Sequence, residues 1–255
     1  MAAAIFDLTG RLALVTGSAR GIGRALAQGL AEFGAAVVLN ARSPVQLDAE
    51  AAELRAAGHT VHVAAFDVTD RNAVQAAVAR IEAEAGAIDI LVNNAGIQHR
   101  APLEDFPEEA WQRLLQTNVS GPFHVAQAVA RGMIARGGGK IINIASVQSE
   151  LARPNIAPYT ATKGAIRNLT RGMCTDWARH GLQINAIAPG YFRTELNQAL
   201  VDDPAFSAWL ERRTPAGRWG EVGELVGAAV FLASDASSFV NGQTLYVDGG
   251  ITASI

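Results

Sequence analysis

Thr16-Gly17-Ser18-Ala19-Arg20-Gly21-Ile22-Gly23 is the stretch on which the reading of this chain turns. An apolar run, residues 12–16, leads into it, and an amphipathic run, residues 21–33, leaves it. A strand that turns through glycines into a helix brings uncovered backbone N–H groups to the positive end of the helix dipole. That arrangement suits a pyrophosphate. The spacing is G-x-x-x-G-x-G rather than G-x-G-x-x-G, and an isolated pair of glycines would mark only a tight turn. The strand before and the helix after favour a dinucleotide loop built from Gly17, Ser18, Arg20, Gly21, Ile22 and Gly23.

Outward from the loop the pattern repeats. Short apolar runs lie at 12–16, 36–40, 61–66, 88–93, 140–145, 183–188 and 244–247. They are rich in Val, Ile and Leu without strict alternation, as parallel strands buried on both faces are. Helical stretches fall between them at 21–33, 44–57, 71–85, 107–133, 158–180 and 221–232. Gly10, Gly34, Gly58 and Gly86 punctuate the ends of elements. In the stretch 107–133, Trp111, Leu114, Leu115 and Val119 recur at helical spacing and predict a core-facing stripe. Alternating strands and helices imply a Rossmann-type, doubly wound, parallel seven-stranded sheet with helices on both faces. One domain over 1–255 is expected, with dinucleotide motifs mainly in 1–120 and catalytic and substrate parts mainly in 121–255.

Composition removes several classes of function. Hydrophobic residues make up 49%, which excludes a disordered chain. Net charge is −3 and the basic residues are scattered, so neither nucleic acid nor an anionic membrane is an expected partner. A single cysteine, Cys174, permits no intrachain disulfide and fits a reducing, cytoplasmic location. The opening Met1-Ala2-Ala3-Ala4-Ile5-Phe6-Asp7 has no basic region or long apolar run, so no signal peptide is expected. No uncharged apolar stretch is long enough to span a bilayer. The histidines are dispersed, His59 and His62 read as surface or boundary residues, and no metal site is expected.

The end of the second strand bears on the choice between NAD and NADP. An acid there binds the ribose hydroxyls and repels a 2′-phosphate. This chain has Leu39-Asn40-Ala41-Arg42-Ser43, with no acid. Arg42 and Arg20 are placed to converge on one phosphate, a task suited to guanidinium. NADP is favoured, with NAD as the open alternative.

Further motifs follow in order: Asp67-Val68, Asn93-Asn94-Ala95-Gly96, Ser146, Tyr159-Thr160-Ala161-Thr162-Lys163, Pro189-Gly190, Asn241-Gly242-Gln243 and Val247-Asp248-Gly249-Gly250. With the glycine loop they resemble the short-chain dehydrogenase/reductase family over nearly the whole chain. Within that family the likeness is greatest to gluconate 5-dehydrogenases, in Gly96-Ile97-Gln98-His99-Arg100 and Ser146-Val147-Gln148-Ser149-Glu150. The resemblance implies an NAD(P)-dependent alcohol–ketone oxidoreductase, interconverting D-gluconate and 5-keto-D-gluconate. It implies that Asp67 accepts from the adenine amino group and that the Val68 N–H donates to the ring. Asn94, Ala95 and Gly96 would line the ribose side. Pro189, Gly190, Phe192 and Thr194 would hold the nicotinamide amide. Asn118, Ser146, Tyr159 and Lys163 would form a catalytic tetrad, with no departure from the family pattern.

The chemistry suits those residues. Reducing a ketone needs a hydride on carbon and a proton on oxygen, and Tyr159 can exchange that proton. A free phenol titrates near pH 10, so it needs help to act as a base near neutrality. Lys163, four residues on, shares its helical face, and its ammonium favours the phenolate. Ser146 ends a strand at the sheet's ligand-binding edge, where its hydroxyl can bond the substrate oxygen. Asn118 falls mid-helix, a poor place for Asn unless it bonds something. A water linking it to Lys163 would make a proton relay.

Loops at 97–102 and 147–155 supply Gln98, His99, Arg100, Gln148, Glu150, Arg153 and Asn155. This polar set suits a sugar acid, with Arg100 or Arg153 on the carboxylate and Gln148 or Glu150 on hydroxyls. Residues 191–214 read as a lid, interrupted at Asp202-Asp203-Pro204, in which Trp209 and Leu210 would close over the ligand. Other readings are a 3-oxoacyl-carrier-protein reductase or other polyol or ketone reductase, and a non-catalytic dinucleotide sensor or scaffold. The apolar tail, residues 239–255 with Leu245, Tyr246, Val247 and Ile251, together with the resemblance, implies a homotetramer.

Overall fold

The computed structural model describes residues 3–254. Met1 and Ala2, quoted for the absence of a leader, and Ile255, last of the apolar tail, lie outside the described residues. Strand and helix alternate from the start: β1 (Leu12–Val15), α1 (Gly21–Glu32), β2 (Ala36–Ala41), α2 (Pro44–Ala56), β3 (Val61–Ala65), α3 (Arg71–Glu84) and β4 (Ile90–Asn93). There follow α4 (Glu108–Leu115), α5 (Gly121–Arg136), β5 (Gly139–Ile144), α6 (Ala157–Trp177), β6 (Leu182–Pro189), α7 (Gln198–Val201), α8 (Pro204–Arg213), α9 (Val226–Ala233) and β7 (Thr244–Val247).

The strands form one parallel seven-stranded sheet in the order β3-β2-β1-β4-β5-β6-β7. This is the doubly wound arrangement expected from the alternation. The chain starts mid-sheet, winds out to β3, returns to place β4 beside β1, then winds out the other way. Crossovers of one hand therefore leave on opposite faces, and a crevice opens at the carboxyl ends of β1 and β4.

Period-two alternation explains why the strand runs are apolar throughout. In β1, Ala13 and Val15 join a cluster with Leu26 and Leu30 of α1 and Leu47 and Leu54 of α2. Leu12 and Leu14 join the other, with Val74 and Val78 of α3 and Val125 and Val129 of α5. Each face of the strand is buried, so no position can be polar at low cost. Local signals agree with the layers. Asp70 caps α3, its Oδ1 accepting the Asn72 and Ala73 N–H groups at 2.9 and 3.0 Å. Gly137, with φ of +76°, closes α5 in the left-handed conformation.

The single helix expected over 107–133 is instead α4, a π turn over Gln116–Ser120, and α5. Of the expected stripe only Leu114 is buried; Trp111, Leu115 and Val119 are half-buried. A π turn inserts an extra residue per turn and rotates the face that follows. Asn118, four residues past Leu114, faces inward, and Val119 beside it is half-buried. Among the described residues, no helix is long and apolar enough to cross a membrane.

Lys140, in β5, is a charged residue within the core. It is 3% exposed and its Nζ donates to Ser237 Oγ at 3.3 Å. Burial pulls its pKa down from 10.5 to about 8. Between those values the unfolded chain binds a proton that the folded chain has released, so this group's contribution to stability rises with pH there. Lys140→Met should flatten the rise of unfolding free energy between about pH 8 and 10.5, by roughly 1 kcal/mol per pH unit at most. Denaturant midpoints at stepped pH measure this. An unchanged slope would show that Lys140 does not carry it.

Candidate active site

The carboxyl ends of the strands open into a cleft of about 990 Å³. At one end is the glycine loop, and its shape comes from what cannot fit there. Asn94, just past β4, donates through Nδ2 to the Thr16 and Gly17 carbonyls, both at 3.0 Å. Thr16 Oγ1 in turn accepts the N–H groups of Asn94 and Ala95 at 3.0 and 3.1 Å. A Cβ on Gly17 would lie 2.9 Å from Ala95 Cα, and one on Gly23 would overlap the Gly17 carbonyl and the Asn94 amide. Gly21, with φ of +56°, has open space where its Cβ would stand and sits at the N-terminus of α1. Two glycines thus admit the neighbouring chain, and the third leaves room beside a helix N-terminus. That cradle fits a dinucleotide pyrophosphate.

Around the cradle, Asn40 and Ser18 brace the loop. Asn40 Oδ1 accepts the Gly17 N–H at 3.3 Å, and its Nδ2 donates to the Ala64 and Phe66 carbonyls at 3.0 and 3.1 Å. Ser18 is fully buried and its Oγ accepts the Asn40 N–H at 2.9 Å. Asn40 lines the cleft; Ser18 stands behind the wall. Asp67 and Val68 line it too, with Asp67 Oδ1 accepting from the Thr69 N–H and hydroxyl at 2.9 and 2.8 Å. Arg20 and Arg42 are both on the wall, but Arg20 is ion-paired with Glu195 at 3.1 Å rather than free beside Arg42. Ile22, Ala95, Gly96, Pro189, Gly190, Phe192 and Thr194 complete this side.

At the other end, β5 delivers Ser146 and α6 delivers Tyr159 and Lys163, all on the wall. Ser146 begins the turn after β5, its Oγ accepting the Gln148 N–H at 3.2 Å. Lys163 Nζ donates to the Ile144 carbonyl at 2.7 Å and stands 5.6 Å from the centre of the Tyr159 ring. Burial pushes the Tyr159 phenol up to about 12, against a hydrogen bond with Ser146 that pulls it down. Burial pulls the Lys163 ammonium down to about 8. The lysine was expected to favour the phenolate; burial is the larger influence on Tyr159 and works against that charge.

Beside these groups lies a polar corner. The loops carrying Arg100 and Arg153 are tied together by the Ala101 N–H, which donates to the Asn155 carbonyl at 3.2 Å. Asn155 adopts a left-handed φ of +68°, which Asn tolerates better than most residues. The two guanidiniums lie near enough that Arg153, second to burial itself, lowers the pKa of Arg100. Arg100 Nε and Nη2, Arg153 Nε and Gln148 Oε1 are all buried without a hydrogen-bond partner. Arg153 and Gln148 line the cleft, and Arg100 stands behind them.

A family model described as enoyl-(acyl carrier protein) reductase matches residues 17–252. The gluconate 5-dehydrogenase of Gluconobacter oxydans (strain 621H) is 64% identical over 251 residues, 98% of each chain. The 5-keto-D-gluconate 5-reductase of Escherichia coli (strain K12) is 51% identical, over 98% of this chain and 99% of its own. The crystal structure of a gluconate 5-dehydrogenase from Burkholderia cenocepacia J2315, in complex with NADP and tartrate, is 63% identical, covers both chains completely and superposes with a TM-score of 0.99. The chain belongs to the short-chain dehydrogenase/reductase family. It is an NAD(P)-dependent oxidoreductase of the kind that acts on a carbinol or its ketone.

Within this short-chain dehydrogenase/reductase, several loop residues stand elsewhere than expected. Glu150 pairs with Arg167 at 2.6 Å and is absent from the cleft wall. His99 packs edge-on against Phe106 at 5.2 Å, and Asn155 is exposed; Gln98 does reach the wall. The expected lid is α7 and α8, divided where Asp203 caps α8. Leu210 does not close over the cleft, because it is buried with Val147, Trp219 and Ile251. Trp209 is 40% exposed and packs against Tyr191 and Phe206. Tyr191, in the same loop between Gly190 and Phe192, adds a phenol not singled out from the sequence. It lines the cleft, accepts from Gln148 Nε2 at 3.4 Å and feels the charge of Arg153. Among the described residues no cluster of potential metal ligands occurs.

Asn118 is off the wall, and its side chain is fully committed. Oδ1 accepts the Ile97 N–H at 2.8 Å, while Nδ2 donates to the Ile97 carbonyl at 2.9 Å and to Thr162 Oγ1 at 3.2 Å. It thereby fastens the loop after β4 to α6. Asn118→Ala should lower unfolding free energy by about 2 kcal/mol or more, since it strands buried backbone groups. Chemical denaturation would detect this; unaltered stability would reduce the residue to a relay.

Proposed function

We propose that this chain interconverts D-gluconate and 5-keto-D-gluconate with NADP, and that Tyr159 moves the proton. The observation that carries the reading is a pair of half-buried guanidiniums whose inner nitrogens, Arg100 Nε and Nη2 and Arg153 Nε, have no partner, beside a Ser146–Tyr159–Lys163 site. Buried charge without a partner is costly, and a carboxylate is what such a pair recognises. Relatives of matching name, and a related structure holding NADP and tartrate, point the same way.

Arg153 on the wall, backed by the charge of Arg100, anchors the C1 carboxylate, and Gln148 and Tyr191 take hydroxyls along the chain. The far carbinol carbon is then held at Ser146 and Tyr159, so position along the sugar acid follows from reach. Ser146 Oγ donates to the reacting oxygen. In the reductive direction Tyr159 Oη gives its proton to that oxygen, a role its high pKa already suits. In the oxidative direction the Tyr159 phenolate, favoured by the Lys163 ammonium beside it, takes the proton back. NADP, held by Gly17, Arg20, Gly21, Ile22, Gly23, Arg42, Asp67, Val68 and the loop from Asn94 to Gly96, supplies or accepts the hydride. Ser18 and Asn40 support that loop from behind or below, Pro189, Gly190, Phe192 and Thr194 hold the amide end, and Asn118 orders the wall.

An absorbance assay at the reduced-nicotinamide band, run on gluconate, 5-ketogluconate and sorbitol, tests the whole reading. Both sugar acids should turn over. Tyr159→Phe should lose roughly 100-fold or more in rate while NADP still binds. Arg100→Ala or Arg153→Ala should weaken gluconate roughly tenfold or more relative to sorbitol, as expected for a lost charged hydrogen bond. Inert gluconate and 5-ketogluconate, with another ketone reduced, would overturn the substrate; a near-parental Tyr159→Phe would overturn the proton assignment.

We further propose that the chain acts as one catalytic unit over 1–255, in the cytoplasm, as a homotetramer. Phe239 is fully exposed and Leu245 is 38% exposed, although Ile251 is buried against its own chain. Exposed apolar residues of that size suit a subunit contact. Light scattering at micromolar concentration should return four times the chain mass, and a monomer would refute this.

A further inference from the structure

Arg20 lies at the turn into α1, and Glu195 lies in the segment that leads to α7. Both line the cleft, and they meet at 3.1 Å across 175 residues of sequence. Arg42 lines the same region, and among the described residues it makes no ion pair. The two guanidiniums at this end of the cleft are therefore not equivalent. One is free to meet an anion, and the other already holds one.

We infer that Glu195 is a specificity-determining residue that tempers the preference for NADP over NAD by competing for Arg20. The inference rests on the reading of Arg20 as a 2′-phosphate ligand. A phosphate can use every donor of the Arg20 guanidinium only if the carboxylate releases Nη1, the one nitrogen it holds. NAD lacks that phosphate and leaves the pair closed. The cost of opening thus falls on one cofactor and not on the other, which is the condition for a change in specificity rather than in affinity overall.

The size of the effect follows from exposure. Arg20 and Glu195 are 72% and 67% exposed, so solvent weakens their attraction. Breaking such a pair shifts an equilibrium by about 1.5- to 5-fold. The carboxylate also belongs to the segment that carries Thr194, on the amide side of the cleft. Opening the pair consequently releases that segment from the glycine loop at the moment NADP docks. NADP and NAD complexes should differ in the mobility of residues 194–201, although neither nicotinamide nor adenine differs between them.

Equilibrium titration of NADP and NAD by calorimetry, on the full chain and its variants, tests this. Glu195→Gln should tighten NADP about two- to five-fold and leave NAD unmoved. Arg20→Gln should weaken NADP selectively, and in that background Glu195→Gln should have no further effect on it. The gain should fade as salt rises, since both groups are exposed. If Arg20→Gln is selective but Glu195→Gln moves both cofactors equally, or neither, or loosens NADP, the competition is refuted and the phosphate reading stands. If the gain from Glu195→Gln survives in the Arg20→Gln background, Glu195 repels phosphate directly and the latch is refuted. If Arg20→Gln does not discriminate between the cofactors, the phosphate reading itself falls, and the inference with it.

Discussion

Two missing side chains set the approach on which the dinucleotide end depends. Gly17 and Gly23 let the turn after β1 lie directly against Asn94 and Ala95, with no atom to spare. Everything at the dinucleotide end depends on that contact. The Asn94 amide can reach the Thr16 and Gly17 carbonyls only because nothing intervenes, and those bonds join the two central strands at the edge where ligands bind. A methyl group at Gly23 would force the loop, α1 and the end of β4 apart together. The sheet's switch point creates a crevice in any doubly wound fold; the glycines make this one the right depth.

The catalytic end works by a different constraint, which is desolvation. Tyr159 and Lys163 are held one helical turn apart, and burial opposes charge on both. The phenol keeps its proton while the ammonium leans on the Ile144 carbonyl. Asn118 contributes to the same order from behind, tying Ile97 to α6 through an amide that is wholly used.

Much of this could be read from residue order. Buried parallel strands announce themselves as continuous apolar runs, and the tyrosine and lysine share a face because four residues make about one turn. Other features resist such reading. A π turn at Gln116–Ser120 leaves no compositional mark, so a helix-periodic stripe past Leu115 is read out of phase. Ser18 sits inside a ligand-binding motif yet bonds its own β2 neighbour, a distinction that depends on which way one hydroxyl points. Glu150 lies two residues from a wall residue, but Arg167, seventeen positions later, draws it away. Leu210, expected over the ligand, packs inward, and the Tyr191 phenol stands on the wall. Apart from the π turn, which is a local change of winding, these misses concern a partner brought from afar by the fold, which local pattern does not encode.

The corner shared by Arg100 and Arg153 has an electrostatic side that bears on bench work. Two like charges held close together and partly shielded from water repel, as the depressed Arg100 pKa reflects after the effect of burial. Any small polyanion that fits the cleft relieves that repulsion, whether or not it has a carbinol to oxidise. Citrate, tartrate and phosphate buffers should therefore behave as competitive ligands and as stabilisers at once. An apparent KM measured in such a buffer would report displacement of the buffer ion as much as recognition of the sugar acid. Zwitterionic buffers with chloride as the counterion avoid setting the enzyme's own selectivity against its solvent.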